Sequence, residues 1–337
     1  MDYVSRWWYN KLVMDQLKSQ TLLRTFFSVF KQSIHTVGRH IYLILFPLGL
    51  DLFLLLGPRL GLSKILNPLL ASLPAIDNFE QQFNLSWDTF ISSTMESVKQ
   101  FNLFSALRTL PFGLPSIMSS RLGTASPFGI SQQLELANFG DALLAFLLFS
   151  LIGVFAGTVY FTLMANAVQK DTHIDNKPST SIFFSFLNLS AFNLSTWTLA
   201  LLLLIPAVVV LGLLLGLNLG LGYLAYMLIF IVLLSFVMPL VFTPILVIAE
   251  RLNFIKAAVR SQIFTRKTGI LASFFIVLSI TVSYLTNMLW NSAPNTSPFV
   301  LIGIFGHALV TTLLLTSSFH FLNVFETVDI SQKPLII

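Results

Sequence analysis

The sequence lacks cysteine altogether and is poor in charged residues. Its 337 residues include no Cys and only 10% Asp, Glu, Lys and Arg, against 55% hydrophobic residues and a mean hydropathy of +0.82. The absence of Cys excludes disulfides and cysteine-ligated zinc or iron–sulfur sites. The scarcity of charge, together with apolar runs of about 20 residues, is typical of a protein whose helices cross a membrane.

Sequence motifs of common enzymes are missing as well. The patterns GxSxG, HExxH, GxGxxG and the P-loop do not occur. The carboxylates in or beside the apolar runs are scattered among different runs: Asp51, Asp141, Glu250 and Glu326. We therefore predict a protein that is not an enzyme, has no resident cofactor and does not bind nucleic acid, the net charge of +5 being explained by membrane topology.

The apolar runs predict an all-α polytopic bundle of about six spans. They cover residues 39–57, 141–168, 197–217, 219–249, 270–290 and 299–325. Of the 19 Lys and Arg residues, fourteen lie in the segments that six spans place on one side, and five lie in residues 58–137. Because Lys and Arg are enriched on the cytoplasmic side, we predict a bacterial inner-membrane protein with cytoplasmic termini and the 58–137 loop outside.

Amphipathic segments precede three of the predicted spans. In residues 1–40 the apolar side consists of Leu23, Phe26, Phe27, Phe30 and Ile34. Residues 181–194 and 250–267 form the second and third segments. Each is predicted to be an interfacial helix on the cytoplasmic face that leads into a span. The predicted organisation is therefore a segment over 1–40 followed by a six-span domain over 41–337, with the outer loop inserted at 58–137.

The first predicted span contains a carboxylate, Asp51. A carboxylate inside a membrane is costly unless it is paired or in contact with water. Two roles stay open: a structural one, in which Asp51 bonds to the nearby loop or reaches water, and a functional polar site on a substrate path. The loop contains a Pro-Phe-Gly echo, LPFGLPS at 110–116 and SPFGIS at 126–131. These two turns are predicted either to line a binding surface or to cap the bundle.

The stretch from residue 238 to residue 269 joins a span to a basic amphipathic helix. Pro239 and Pro244 remove backbone donors and are predicted to kink the span. Glu250 and Arg251 follow, as a second candidate polar site that fixes the bend. The basic side chains of the helix are Lys256, Arg260, Arg266 and Lys267. They are predicted to dock on anionic lipid headgroups or on a partner protein.

This stretch also carries a family resemblance. Its pattern consists of Pro244, Leu246, Val247, Ile248, Glu250, Leu252, Ala257 or Ala258, and the pair Arg260-Ser261. The pattern resembles that of the YciC-like and DUF975-like bacterial integral membrane proteins and of the membrane domain attached to some glycerophosphodiester phosphodiesterases. The resemblance covers residues 211–290 and implies a helical membrane domain of about six spans. The soluble barrel that carries phosphodiesterase activity in that group has no counterpart in these residues.

Two histidines, His307 and His320, lie in the last predicted span. Each is read either as a hydrogen-bonded packing residue or as a ligand of a metal or a chlorophyll-type pigment. Gly303 and Gly306 are expected to leave room for a macrocycle beside His307. The sequence predicts a scaffold or accessory subunit whose partners are the bilayer and other membrane-protein subunits. The alternatives are a transporter-like or permease-like component and a pigment-associated subunit of a photosynthetic complex.

Overall fold

The fold was obtained as a computed structural model. It describes residues 24, 26–75, 80, 86–123, 125–172, 181–217 and 219–331, without the side chains of residues 213–219, 233, 234, 236 and 325–331. The first 23 residues of the predicted amphipathic segment, Leu23 included, lie outside this range.

The described chain is mostly helical, with a few short strands. The helices are α1 (Phe26–Arg39), α2 (Leu45–Leu56), α3 (Ser63–Ala71), α4 (Trp87–Gln100), α5 (Phe139–Asp171), α6 (Ile182–Leu217), α7 (Leu219–Val237), α8 (Thr243–Ala249), α9 (Phe254–Thr268), α10 (Ile270–Trp290) and α11 (Val300–Ser331). Short 3-10 helices cover Ile41–Ile44, Leu103–Arg108, Met118–Ser120 and Met238–Leu240. The strands are β1 (Arg59–Gly61), β2 (Ala125–Ser126), β3 (Gly129–Ile130) and β4 (Gln133–Glu135).

Four helices are long and apolar enough to cross a membrane. They are α5, residues 182–212 of α6, α10 and residues 300–324 of α11, with hydropathies between 1.8 and 2.4. The pair α1 and α2 meets the same test when taken together, although the two helices are bent by 93° at His40. The described residues therefore contain four spanning helices, or five when the bent pair is counted as one.

The buried face of α1 differs from the predicted apolar side. Val29, Ser33, Thr36 and Val37 are buried, whereas Phe27 and Ile34 are exposed. The hydroxyl groups of Ser33 and Thr36 are accommodated because each has an acceptor or partner: Ser33 Oγ donates to the Val29 carbonyl at 2.9 Å. The face of α1 that packs within the protein is therefore not the apolar side that the sequence predicts for the membrane interface.

The predicted separate interfacial helix at 181–194 is wrong. Residues 182–217 form one continuous helix of 36 residues. Some of its polar side chains bond to carbonyls one turn back: Asn188 Nδ2 donates to Phe184 O at 2.9 Å, and Ser195 Oγ donates to Ala191 O at 2.7 Å. Such bonds hide polar groups from an apolar environment within the helix itself. The predicted joint between interfacial helix and span is consequently absent here.

The predicted kink in the fourth span is confirmed. The apolar run is broken into α7, the 3-10 helix Met238–Leu240 and α8, with Pro239 and Pro244 at the starts of the last two elements. Arg251 has a φ of 57°, the left-handed conformation in which glycine commonly ends a helix. Ser261 of α9 donates a hydrogen bond to the Pro239 carbonyl. This bond fastens α9 to the broken end of the preceding helix.

The described chain divides into two compact units. The first comprises residues 1–43, 161–284 and 312–337, and the second comprises residues 44–160 and 285–311. An aromatic cluster forms the interior of the first unit: Phe321 stacks on Phe275 at 4.3 Å and on Phe242 at 5.8 Å, and Phe264 meets Phe242 edge-on at 5.0 Å. Such pairs contribute about 0.5–1.5 kcal/mol beyond area burial.

The second unit contains the long polar region, which we call the loop segment (residues 58–138). Its strands, which the all-α expectation did not include, pair as β1 with β4 in parallel and β2 with β3 antiparallel. The β1–β4 pairing joins the two ends of the loop segment, with Arg59 opposite Gln133. The two ends of the loop segment are thus hydrogen-bonded to each other, just after the end of α2 and just before the start of α5.

Candidate functional site

Asp51 of α2 is completely buried and binds the loop segment through three hydrogen bonds. Ser116 Oγ donates to Asp51 Oδ1 at 2.5 Å, and the Met118 amide donates to the same oxygen at 3.0 Å. The Ile117 amide donates to Oδ2 at 3.3 Å. Of the two roles left open by the sequence, the structure shows the bond to the loop.

The part of the loop that Asp51 binds is itself buried. Phe112, Leu114, Ser116, Ile117 and Met118 are all at most 7% exposed. Buried backbone N–H groups need acceptors, and a short irregular stretch has no helix or sheet to supply them. A carboxylate offers several acceptor sites on two oxygens, so one side chain serves both main-chain donors and the serine hydroxyl.

Two glycines of α5 allow the same stretch to approach that helix closely. Gly153 and Gly157 are separated by one helical turn and face the Leu107 carbonyl and the Gly113 backbone. A Cβ on Gly157 would lie 2.9 Å from the Gly113 Cα. Small residues at this spacing are a common way for membrane helices to admit a neighbouring backbone. The loop therefore packs against the middle of a helix long enough to span a membrane.

The two copies of the Pro-Phe-Gly echo have different surroundings. Phe112 of the first copy is 2% exposed and lies beside Gly157. Phe128 of the second copy is 75% exposed at the turn between β2 and β3. The first copy is thus a packing element, and the second projects from the surface.

Two arginines of the loop segment lie near Asp51. Arg108 donates from Nη1 to Ser119 Oγ at 3.1 Å, and burial lowers the pKa of Arg108 while the charge of Asp51 opposes that shift. Arg121 reaches the turn after α10: it donates to Asn291 Oδ1 at 2.7 Å, Asn295 Oδ1 at 2.9 Å and the Trp290 carbonyl at 2.8 Å. Asp51 and Arg121 thus bond residues 116–121 to α2 on one side and to the end of α10 and its following turn on the other.

His307 lies in α11 within the second unit and is 4% exposed. Its Nδ1 is hydrogen-bonded to Asn287 Oδ1 at 2.8 Å, and its Nε2 has no partner within the described part of the chain. The expected room for a macrocycle is filled, because the Trp290 ring would lie 2.7 Å from a Cβ on Gly306. The glycines beside His307 thus serve the packing of Trp290.

His320 lies in the first unit and is bonded to α1. Its Nε2 is 3.1 Å from Thr36 Oγ1, and both residues are buried. One turn further along α1, Arg39 Nη1 is 3.2 Å from Asp171 Oδ1. These polar contacts join α1 to α5 and α11, which gives His320 a packing role in the described structure. No group of three potential metal ligands occurs among the residues that the structure describes.

Glu250 and the cations of α9 form the remaining predicted site. Arg260 Nε is 3.6 Å from Glu250 Oε1, so this arginine pairs across the joint that follows α8. Arg251 takes no part in that ion pair and instead ends the helix by its backbone conformation. Lys256, Arg266 and Lys267 are exposed. The buried face of α9 consists of Ala257 and Ser261, two residues of the pattern that carries the family resemblance.

Several of the residues that build the site were not singled out from the sequence. Gly153 and Gly157 form a GxxxG pattern, which is the sequence signal that could have predicted a close backbone contact on α5. Arg121, Asn291 and Asn295 are separated by some 170 residues and carry no motif. Their contact depends on the tertiary fold alone.

No family model, curated protein or solved structure matches this chain. The resemblance to YciC-like proteins therefore stays a prediction.

Replacing Asp51 by Ala is expected to destabilise the second unit by about 3 kcal/mol or more, because two main-chain N–H groups and one hydroxyl lose their buried acceptor. The midpoint of thermal unfolding in detergent should fall, and trypsin should cleave after Arg108 and Arg121 faster than in the wild type. Asp88→Ala, which removes an exposed carboxylate of α4, is the matched control. An Asp51→Ala protein with the wild-type midpoint and digestion pattern would contradict the anchoring role.

A second prediction concerns the close approach at α5. Gly157→Ala places a methyl group against the Gly113 backbone, which cannot move away as a side chain can, and is expected to cost about 1–3 kcal/mol. Gly212→Ala in α6 is the control, since a Cβ there meets nothing within 4 Å. That substitution should be neutral or stabilising, by up to about 1 kcal/mol. Equal effects of the two substitutions on the unfolding midpoint would show that the loop does not depend on Gly157.

Proposed function

We propose that this chain is a non-enzymatic, multi-pass protein of a bacterial inner membrane that acts as a scaffold or accessory subunit of a membrane complex. One observation carries the proposal: the loop segment, which Asp51 fixes to α2, exposes an apolar turn over residues 126–130, which we call the tip. Phe128 and Ile130 at that tip are 75% and 83% exposed. The proposed partner surface is an apolar patch on another membrane-protein subunit.

The tip belongs to an ordered turn. β2 and β3 pair antiparallel, Ser126 Oγ donates to the Gly129 carbonyl at 2.9 Å, and the Phe128 amide donates to Ser126 Oγ at 3.3 Å. An aromatic side chain on a preformed turn loses little conformational freedom on binding, which favours affinity. Burying a Phe or Ile side chain contributes about 1.5–3 kcal/mol, so these two residues suit the centre of a small interface.

The surfaces of the helices support a position within a bilayer. None of the spanning window of α6 is buried, and the large exposed side chains between residues 199 and 210 are aliphatic. On α9 the apolar residues Ile255, Val259 and Ile263 are exposed beside the cations of the same helix. A helix with an exposed apolar stripe and basic neighbours suits the surface of an anionic leaflet. We infer that α9 lies on the cytoplasmic leaflet and the loop segment outside. The six proposed spans are the four long apolar helices, the bent pair of α1 and α2, and the broken run of α7 and α8.

The observed contacts of Asp51 disfavour the transport alternative. Both of its oxygens accept hydrogen bonds from the loop, and the side chain is completely buried. A carboxylate on a substrate path needs access to water or to the substrate. Asp51 is therefore better explained as an anchor than as a binding group.

The proposed orientation predicts opposite labelling of two engineered cysteines. The natural chain has no Cys, so Phe90→Cys on α4 and Gln262→Cys on α9 each introduce a single thiol at an exposed position. In intact bacterial spheroplasts a membrane-impermeant maleimide should label residue 90 and leave residue 262 unlabelled until the cells are lysed. Labelling of both positions before lysis, or of residue 262 alone, would overturn the proposed topology.

The partner proposal predicts a site-specific crosslink. A thiol introduced as Ile130→Cys should crosslink to a neighbouring subunit in native membranes, and adding Phe128→Ser should reduce the yield about tenfold or more because the aromatic contact is lost. Ser92→Cys on α4 is the control position, exposed and in the same loop segment. Equal crosslinking from residues 92 and 130, or a yield that Phe128→Ser leaves unchanged, would count against a partner at the tip.

A further inference from the structure

An open polar pocket lies beside the loop segment, within the second unit. It is formed where the end of α4, the strands β2 and β4 and the turn after α10 meet. The described residues that line it are Glu96, Lys99, Gln100, Gly123, Ala125, Gln133 and Asn295. Its volume of about 270 Å³ is near the lower end of the range for small-molecule sites, which is about 300–1,000 Å³. None of these residues bonds to Asp51, so the pocket is separate from the site described above.

The charges at the pocket are of both signs and lie side by side. Lys99 Nζ is 3.5 Å from Glu96 Oε2, and each side chain is 58% exposed. Glu96 also accepts a hydrogen bond from Gln100 Nε2 at 3.1 Å. A charged ligand would be attracted by one of the two charged groups and repelled by the other, whereas an uncharged ligand meets no such repulsion. The pocket therefore favours a ligand without net charge.

Carboxamide side chains supply further polar groups, and the protein holds them in place. Asn295 Oδ1 accepts from Arg121 Nη1 at 2.9 Å. Gln133 Nε2 donates to the Lys99 carbonyl at 3.2 Å. Because a carboxamide oxygen has two acceptor sites, these bonds leave acceptors for a ligand. Groups that are already oriented lose little freedom on binding, which favours affinity.

Two small residues keep the remaining wall free of bulky side chains. Gly123 has a φ of 122°, a conformation that residues with a Cβ rarely adopt. A Cβ at this position would lie 3.2 Å from Asn295 Nδ2, so the glycine also permits the close approach of Asn295. Ala125 presents only a methyl group. A larger side chain at residue 125 would therefore reduce the space for a ligand.

We propose that this pocket binds one neutral sugar ring, either a free hexose or the terminal unit of a glycan. Sugar hydroxyls both donate and accept hydrogen bonds, so they can donate to the oxygens of Glu96 and Gln133 and accept from the ammonium group of Lys99. Such a ligand replaces bound water without leaving polar wall groups unpaired.

The volume of the pocket fits a ligand of this size. A space of about 270 Å³ corresponds to about nine water molecules at about 30 Å³ each, which is enough for one six-membered ring with its hydroxyls. Site and ligand do not depend on the scaffold role proposed above, because every described lining residue belongs to the second unit of this chain.

The test is a saturation-transfer difference NMR titration of the full chain in lauryldimethylamine oxide, a detergent without a sugar headgroup. D-glucose, D-galactose and D-mannose are titrated separately, each as the free sugar and as its methyl glycoside, which represents the end of a glycan. At least one sugar should give a saturable signal. The Kd values of the three should differ by about tenfold or more, because galactose and mannose each present one hydroxyl in a different direction from glucose.

Variants of the pocket and one matched control complete the test. In Glu96→Gln the Kd for the sugar that binds best should rise about tenfold, since charge-assisted hydrogen bonds become neutral ones. Ala125→Leu fills the pocket and should abolish the saturable signal, with the midpoint of thermal unfolding as the measure of folding. If Ala125→Leu does not fold, Glu96→Gln decides. Asp88→Asn changes an exposed carboxylate of α4 outside the described walls and should keep the wild-type Kd.

The two sources of the sugar ring give different results. Binding of the free sugar alone identifies a site for free hexose, and binding of the methyl glycoside identifies a site that accepts the end of a glycan. A wild type that binds none of the three sugars, or binds all three with the same Kd, would overturn the proposal. So would tighter binding of the amino acid alanine, a zwitterion, or a Glu96→Gln variant with the wild-type Kd.

Discussion

The second unit depends on one constraint: main-chain N–H groups in a buried, irregular stretch must find acceptors. Water cannot supply them where side chains such as Phe112 and Ile117 are almost completely buried. Asp51 supplies them instead, through bonds to the Ile117 and Met118 amides. The arrangement is reciprocal, because the same amides make the burial of a carboxylate tolerable. Neither the acid on α2 nor the turn of the loop would be stable in this environment without the other.

The packing of the loop against α5 depends on a direct contact between two main chains. Gly153 and Gly157 of α5 have no side chains, and Gly113 in the loop has none either, so two main chains come into contact where side chains would separate them. Close backbone approach maximises dispersion contact but fixes the register, since a shift by one residue would put the Cβ atom of Phe112 or Leu114 where the main chain of Gly113 now touches the helix. The glycines thus set the position of the loop along α5, and the hydrogen bonds of Asp51 hold the loop in that position.

Hydropathy predicted much of the helical fold, because long apolar runs have few alternatives to helix in a bilayer. Pro239 and Pro244 likewise marked the break before α8, since proline removes the donor that a continuous helix requires. The sequence misled at residues 181–194, where Ser and Asn suggested a boundary. The side chain of Asn188 bonds to a carbonyl of the preceding turn, and α6 runs through. Pairing of β1 with β4 could not be foreseen, because it joins three-residue strands more than 70 positions apart.

The candidate site was predictable in part. A carboxylate in an apolar run draws attention by its cost alone, and Asp51 was found in that way. Arg121 could not be found so, because an arginine in a polar loop is ordinary and only the fold shows that it binds the turn after α10.

The Pro-Phe-Gly echo shows why local sequence does not assign function. Both copies encode a turn with an aromatic side chain, but only the first meets a glycine-lined helix, against which Phe112 is buried. Around Gly129 of the second copy a Cβ would meet nothing within 4 Å. Phe128 makes no comparable packing contribution and is still held on an ordered turn. The free energy of burying an aromatic side chain is gained only on binding when that side chain is exposed in the folded protein. The second copy is therefore the better candidate for recognising a partner.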